Sequence, residues 1–164
     1  YAKIDVTVDE FGTITISNID KVGEDGWVRG EGSDWYYYIN GEKVTNDWVA
    51  VEEADPYNNN QVGKVWYHFD KDGKMQRGWI KDETGWKIYN LDSNGRMRHD
   101  MWINAEANEE LGMPTGIYHL LSDGAAQMNG WAESITEGIY WFCAPNSGVF
   151  DASNPANWAT SMPK

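Results

Sequence analysis

Ten Trp and nine Tyr stand against four Phe in 164 residues, so the aromatic chemistry of this chain sits in rings that carry a polar edge. Such rings pack on one side while the indole N–H or phenol O–H meets water or a ligand, which points to an interaction surface. A thin core filled with Trp and Tyr would show the same excess. The other groups able to do chemistry are scattered. His68, His99 and His119 lie far apart, with no HExxH and no metal-ligand pairing. Asp70-Lys71-Asp72-Gly73 and Asp92-Ser93-Asn94-Gly95 begin like calcium loops but lack the remaining ligands and the distal Glu, and they read as turns. Carboxylates are plentiful, yet nothing sets two of them across a pocket. There is no GxSxG, no phosphate-cradling loop and no supported Cys/His dyad. No catalytic residue, metal or cofactor is expected.

The charge balance narrows the partners. Lys and Arg number 13 against 26 Asp and Glu, a formal net charge of −13. Nucleic acid is excluded as a partner, because neutralising phosphates needs a basic cluster that is absent. Neutral sugars or cationic groups fit better than an anionic polymer. Cys143 is the only cysteine, so no intramolecular disulfide forms, and its neighbours Phe142, Ala144 and Pro145 mark it as a small packed strand residue. No apolar run reaches transmembrane length and no signal peptide opens the chain. A start at Tyr1 without Met reads as a mature form or an excised segment.

The elements that must position the aromatics are short strands. In Trp66 to Trp79, WYHFDKDGKMQRGW, an aromatic run is followed by a polar glycine turn, then Lys74-Met75 and a closing Gly78-Trp79. This order predicts a hairpin whose two strands flank the glycine turn. Related copies start at Trp35, Tyr89, Tyr118 and Tyr140, which makes five. Trp27, Trp48, Trp79, Trp102 and Trp131 close one copy or open the next at intervals of 21, 31, 23 and 29, so neighbouring intervals pair into a period of 52. A two-hairpin unit was duplicated.

Within the aromatic strand, Tyr36, Tyr67, Tyr89, Tyr118 and Tyr140 align in one column. Two residues further on come Tyr38, Phe69, Leu91, Leu120 and Phe142, on the same face, which is expected to be the packed one. The opposite face holds Tyr37, His68, Asn90, His119 and Trp141 and varies chemically, as a binding surface or plain solvent exposure would. Glu52–Gly63 and Asn104–Pro114 are insertions at matching places; the first reads as a loop and the second could form a helical turn from Ala105 to Leu111. The expected domains are residues 1–25, an N-terminal β-hairpin cap or the tail of a preceding domain; residues 26–152, the five-hairpin array; and residues 153–164, an irregular tail from which Trp158 could fold back.

A unit of the form GW, spacer, WYYF, turn, GxM, GW resembles the cell-wall-binding repeats of Gram-positive surface proteins, the choline-binding and glucan-binding modules, with clostridial toxin repeats as distant relatives. The resemblance covers about residues 26–150 and is strongest at Gly26-Trp27, Trp35 to Tyr38, Trp66 to Trp79 and Asn94-Gly95-Arg96-Met97. It implies an all-β solenoid of stacked short hairpins, with ligands held between neighbouring repeats in cages of aromatic rings. Carried over residue by residue, one cage would use Trp35 and Trp48 with Trp66 or Tyr67. A second would use Trp66 and Trp79 with Trp86 or Tyr89, and Met75 beside them. Ile88, Ile117 and Ile139 replace the leading Trp in later copies, which removes a cage wall there.

A quaternary ammonium donates no conventional hydrogen bond, so it is held by the negative faces of several rings, each worth about 0.5–2 kcal/mol. A sugar ring can stack on the same tryptophans. The resemblance therefore implies non-catalytic attachment at a bacterial cell surface, outside the cell, to teichoic-acid choline or to a polysaccharide, with any catalytic domain upstream in a longer parent. A structural spacer or adhesion stalk with decayed sites is the alternative.

Overall fold

The computed structural model describes residues 2–21 and 25–163. In chain order its strands are β1 (Ala2–Val8), β2 (Ile14–Lys21), β3 (Gly26–Arg29), β4 (Trp35–Ile39), β5 (Glu42–Lys43), β6 (Asp47–Asp55), β7 (Gln61–Phe69), β8 (Gly78–Lys81), β9 (Ile88–Leu91), β10 (Met101–Ala105), β11 (Gly116–Leu120), β12 (Gly130–Glu133), β13 (Tyr140–Cys143) and β14 (Trp158–Ala159). The only helical element among the described residues is one 3-10 turn, Pro155–Asn157. The fold is all-β, in small antiparallel sheets. The chain divides into two compact units, residues 1–49 with 68–76, and residues 50–67 with 77–164.

Each hairpin opens with a tryptophan of the Trp rhythm, preceded by Gly at Trp27, Trp79 and Trp131. Trp27 lies opposite Tyr37, Trp79 opposite Asn90, Trp102 opposite His119 and Trp131 opposite Phe142. The expected pairing across the glycine turn forms in the first copy, where β5 pairs with β4 through Tyr38 with Lys43 and Ile39 with Glu42; in the second to fourth copies it is corrected to the single bridges Phe69 to Met75, Leu91 to Met97 and Leu120 to Ala126. In the second to fifth copies a residue after the turn bonds to the preceding hairpin. The N–H groups of Met97, Ala126 and Phe150 donate to the carbonyls of Trp66, Ile88 and Ile117 at 2.9, 2.8 and 2.8 Å in the second unit. In the first unit Met75 does the same to Trp35 at 2.8 Å. These recurring bonds stack the hairpins of the second unit into a β-solenoid.

The glycine turns are built for that stacking. Asp70 Oδ1 accepts the N–H groups of Asp72 and Lys74, and Asp92 Oδ1 those of Asn94 and Arg96, so these aspartates hold turns. At Gly148, with φ +84°, a Cβ would sit 2.3 Å from the carbonyl oxygen of Gln127. Only glycine allows both the left-handed backbone and the close approach of the repeat before it.

The packed face of the aromatic strand is as expected for Tyr67, Phe69, Tyr89, Leu91, Tyr118 and Leu120, all buried. The last copy departs from it. There Gly130 pairs with Cys143 and Ala132 with Trp141, so Trp141 and Cys143 are the buried pair in place of Tyr140 and Phe142. The register matches that of the third hairpin, where Gly78 pairs with Leu91 and Ile80 with Tyr89, so Trp141 and not Tyr140 is the counterpart of Tyr89. The first insertion lengthens β6 and β7 instead of forming a loop throughout, with a turn over residues 56–60 in which Asn59 and Asn60 take positive φ. The second forms no helical turn; Asn108 bridges Met113 around a turn. The tail is ordered rather than irregular, since β14 pairs with β13 and sets Trp158 against Trp141 and Phe150 at 5.6 and 5.3 Å.

In the first unit β1 and β2 form a hairpin in which Val6 pairs with Ile16 and Val8 with Ile14. These four side chains are exposed.

Candidate functional site

In the second to fourth repeats the strand residue facing the repeat tryptophan is held in a side-chain pair. His68 and Asn90 are 4% and 3% exposed, and each polar residue bonds to the residue eight positions later. His68 Nδ1 lies 2.5 Å from Gln76 Oε1, His119 Nδ1 lies 2.6 Å from Gln127 Oε1, and Arg98 donates to Asn90 Oδ1 at 2.7 Å. The tryptophans of these two repeats pack on the histidines: Trp48 on His68 and Trp102 on His119, each at 4.8 Å between centroids. The reading of this face as plain solvent exposure is therefore corrected for the second to fourth repeats, where its polar side chains pair with the residue eight positions later.

In the first unit the rings gather at the first repeat. Trp27 stands edge-on to Trp35 and Tyr37 at 6.2 and 5.2 Å and lies 5.8 Å from Phe69. Phe69 is buried beneath, while Trp27, Trp35, Tyr37 and Trp48 are half-buried. Met75, itself buried, joins Trp35 through the backbone bond given above. Nearby, Lys43 Nζ sits 4.9 Å over the ring of Tyr36, an example of a cation held on an aromatic face. Trp27 was not among the cage residues read from the sequence, although its place in the Trp rhythm pointed to it.

In the second unit the expected residues separate. Trp66 is 38% exposed and Trp86, in the turn between β8 and β9, is 86% exposed. Tyr67 is buried and its hydroxyl donates to Glu53; desolvation, with help from Glu53, pushes its pKa well above the usual tyrosine range. Tyr89 is buried. Trp79 is only 8% exposed, stands edge-on to Tyr118 at 4.8 Å and donates its indole N–H to the Glu106 carbonyl at 3.2 Å. It shares a core with Ile88, Ile103, Met113 and Leu120. The isoleucine that stands in for a leading Trp at position 88 is thus an interior residue, and the ring it packs with has no open face. At the end of the chain Trp141 stacks on Phe150 at 4.5 Å, 7° from parallel, and Trp158 closes over both.

Among the described residues no group of three or more His, Cys, Asp or Glu is arranged to hold a metal ion, and no helix is long and apolar enough to cross a membrane.

No protein-family model matches the chain. No curated protein matches it either. Solved structures do. Choline binding protein F from Streptococcus pneumoniae, crystallised in the presence of a peptidoglycan analogue, is 28% identical, with a TM-score of 0.52 over 83% of this chain and 36% of that one. The multimodular pneumococcal cell wall endolysin from phage Cp-1, complexed with choline, is 20% identical, with a TM-score of 0.51 over 87% and 37%. Truncated alternansucrase from Leuconostoc mesenteroides is 18% identical, with a TM-score of 0.55 over 77% and 10%. The last two are likenesses of fold. The chain spans little more than a third of the first two proteins and a tenth of the third.

Proposed function

Because its repeats are of the choline-binding type, we propose that this chain is a non-catalytic module that attaches a larger protein to a bacterial cell wall or extracellular glycan, at the cell surface. The observation that carries the reading is the half-buried cluster of Trp27, Trp35 and Tyr37 over buried Phe69. Edge-on rings present π-faces around a common space, the arrangement that suits a quaternary ammonium or the apolar face of a sugar. The chain's negative charge favours the cation. In the second unit Trp66 and Trp86 are the expected site residues with open rings, whereas Tyr67, Trp79 and Tyr89 serve as floor and core. Single sites of this kind bind weakly, and attachment to a repeating polymer gains from several held at once.

The test is tryptophan fluorescence titrated in parallel with choline, soluble α-glucan and peptidoglycan fragments. A saturable change with one of them, lost in Trp35→Ala and kept in Trp158→Ala, is the expected result. Silence in every titration overturns the reading. The spacer or stalk is the second reading, favoured by the enclosure of Trp79 and Ile88 in the core of the second unit, where an open cage would need them accessible.

A further inference from the structure

In the strand column opposite the repeat tryptophans, the third repeat alone pairs its residue with a guanidinium, and a cleft lies there. The second and fourth repeats carry the pairs His68–Gln76 and His119–Gln127, whereas the third carries Asn90–Arg98. A cleft of about 410 Å³ opens beside this pair, lined by Arg98, Arg77, Asn90, Asn104, Asn108 and Glu106. In a chain of net charge −13, two guanidiniums share this cleft with a single carboxylate, that of Glu106. Both arginines are positioned: Arg98 by Asn90 Oδ1 at 2.7 Å, and Arg77 through Nε to the carbonyl of Ser93 at 2.8 Å. Buried Trp79 forms part of the wall without an open face, so ring stacking or cation capture by aromatics does not explain the place.

We propose that this cleft binds an acidic sugar, its carboxylate taken by Arg98 and Arg77 and its hydroxyls by the carboxamides of Asn90, Asn104 and Asn108. A guanidinium fork matches a carboxylate in two parallel hydrogen bonds, and carboxamides both donate to and accept from hydroxyls. Two guanidiniums repel choline, so the site differs in ligand charge from the aromatic cluster of the first repeat and stands whether or not that cluster binds choline.

The experiment is NMR titration of the whole chain, following the Trp79 indole N–H and the side-chain amides of Asn90, Asn104 and Asn108, with D-glucuronate and D-glucose as probes. Glucuronate is expected to shift these signals saturably and about tenfold more tightly than glucose, with the preference lost in Arg77→Ala and Arg98→Ala and partly kept in Arg98→Lys, which preserves the charge. Unchanged amide dispersion elsewhere verifies the fold of each variant. Equal response to both sugars, indifference to the arginine substitutions, or no response to glucuronate overturns the proposal. Choline added to the same sample is read at the Trp27 and Trp35 indoles, so failure at one site is separate from failure at the other.

Discussion

His99 lies between two carboxylates, with Nε2 2.6 Å from Asp55 Oδ2 and Nδ1 2.5 Å from Asp100 Oδ2. Asp55 ends β6 and holds the turn that follows, accepting the N–H of Tyr57 at 2.9 Å, and the Tyr57 hydroxyl reaches Asp92 at 2.6 Å. The lengthened hairpin is therefore clasped to the third repeat by polar groups. Both ring nitrogens of His99 meet acceptors only, so the doubly protonated imidazolium satisfies the site best. Burial works against that charge, but the hydrogen bonds and charges of Asp100 and Asp55 outweigh it and hold the His99 pKa above its ordinary value. The stabilisation is complete below the unfolded pKa of about 6.5 and is lost as pH rises through the raised folded value.

Melting curves from about pH 6 to pH 9 check this linkage. The native chain should lose stability across the alkaline part of that window, and His99→Gln should be flatter. Each kcal/mol corresponds to a Tm shift of about 2–4 °C at this chain length. Parallel curves for the two proteins would refute the clasp.

Glycine substitutions separate two costs of the turns. Gly112, with φ +73°, has nothing within 4 Å of an added Cβ, so Gly112→Ala bears only the left-handed backbone, about 1 kcal/mol. Gly148→Ala bears the same strain and drives Cβ to within 2.3 Å of the Gln127 carbonyl, a main-chain atom that cannot swing aside. Urea unfolding should place Gly148→Ala lower by a further 1–3 kcal/mol or so. Equal losses would mean that the turn does not press on the preceding repeat.

The strand alternation and the Trp rhythm made the hairpins and most of their buried faces legible before the structure. Tyr67, Phe69, Tyr118 and Leu120 follow directly from period-two spacing. The last repeat misled because Tyr140 invites alignment with Tyr118, whereas pairing to Gly130 and Ala132 places Cys143 and Trp141 inside. Register is fixed by the partner strand, which a column of similar residues cannot reveal. The site was legible only as a composition. Nothing local distinguishes Trp66, partly open, from Trp79, whose ring is covered by Tyr118 from the next hairpin. The His–Gln and Asn–Arg pairs, by contrast, recur at a spacing of eight that is visible in the sequence itself.

Cys143 has no exposed surface, and desolvation pushes its thiol pKa up to about 11. At neutral pH almost none of it is thiolate, and the reactive form is the thiolate. A thiol reagent such as 5,5′-dithiobis(2-nitrobenzoate) should label the native chain only as fast as the last repeat opens, and the unfolded chain at once. Rapid labelling under native conditions would contradict the burial of Cys143 in β13.

The Asn90–Arg98 pair offers a test of the repeat's internal grammar. If the residue opposite the GW tryptophan and the residue eight positions later form one unit, Asn90→His and Arg98→Gln should each be destabilising alone. Asn90→His puts an imidazole against a guanidinium, two groups that compete as donors when the ring is protonated. Arg98→Gln removes the donor that reaches Asn90 Oδ1 and supports Tyr57. Together they rebuild the His–Gln pair found in the second and fourth repeats, where His119 also packs under Trp102 at 4.8 Å. The double variant should recover about 1 kcal/mol relative to the sum of the single losses, measured by a double-mutant cycle in urea. The same change removes one guanidinium from the cleft, so glucuronate binding should fall while stability returns. Additive losses would show that the third repeat has drifted too far for the rule of its neighbours to hold.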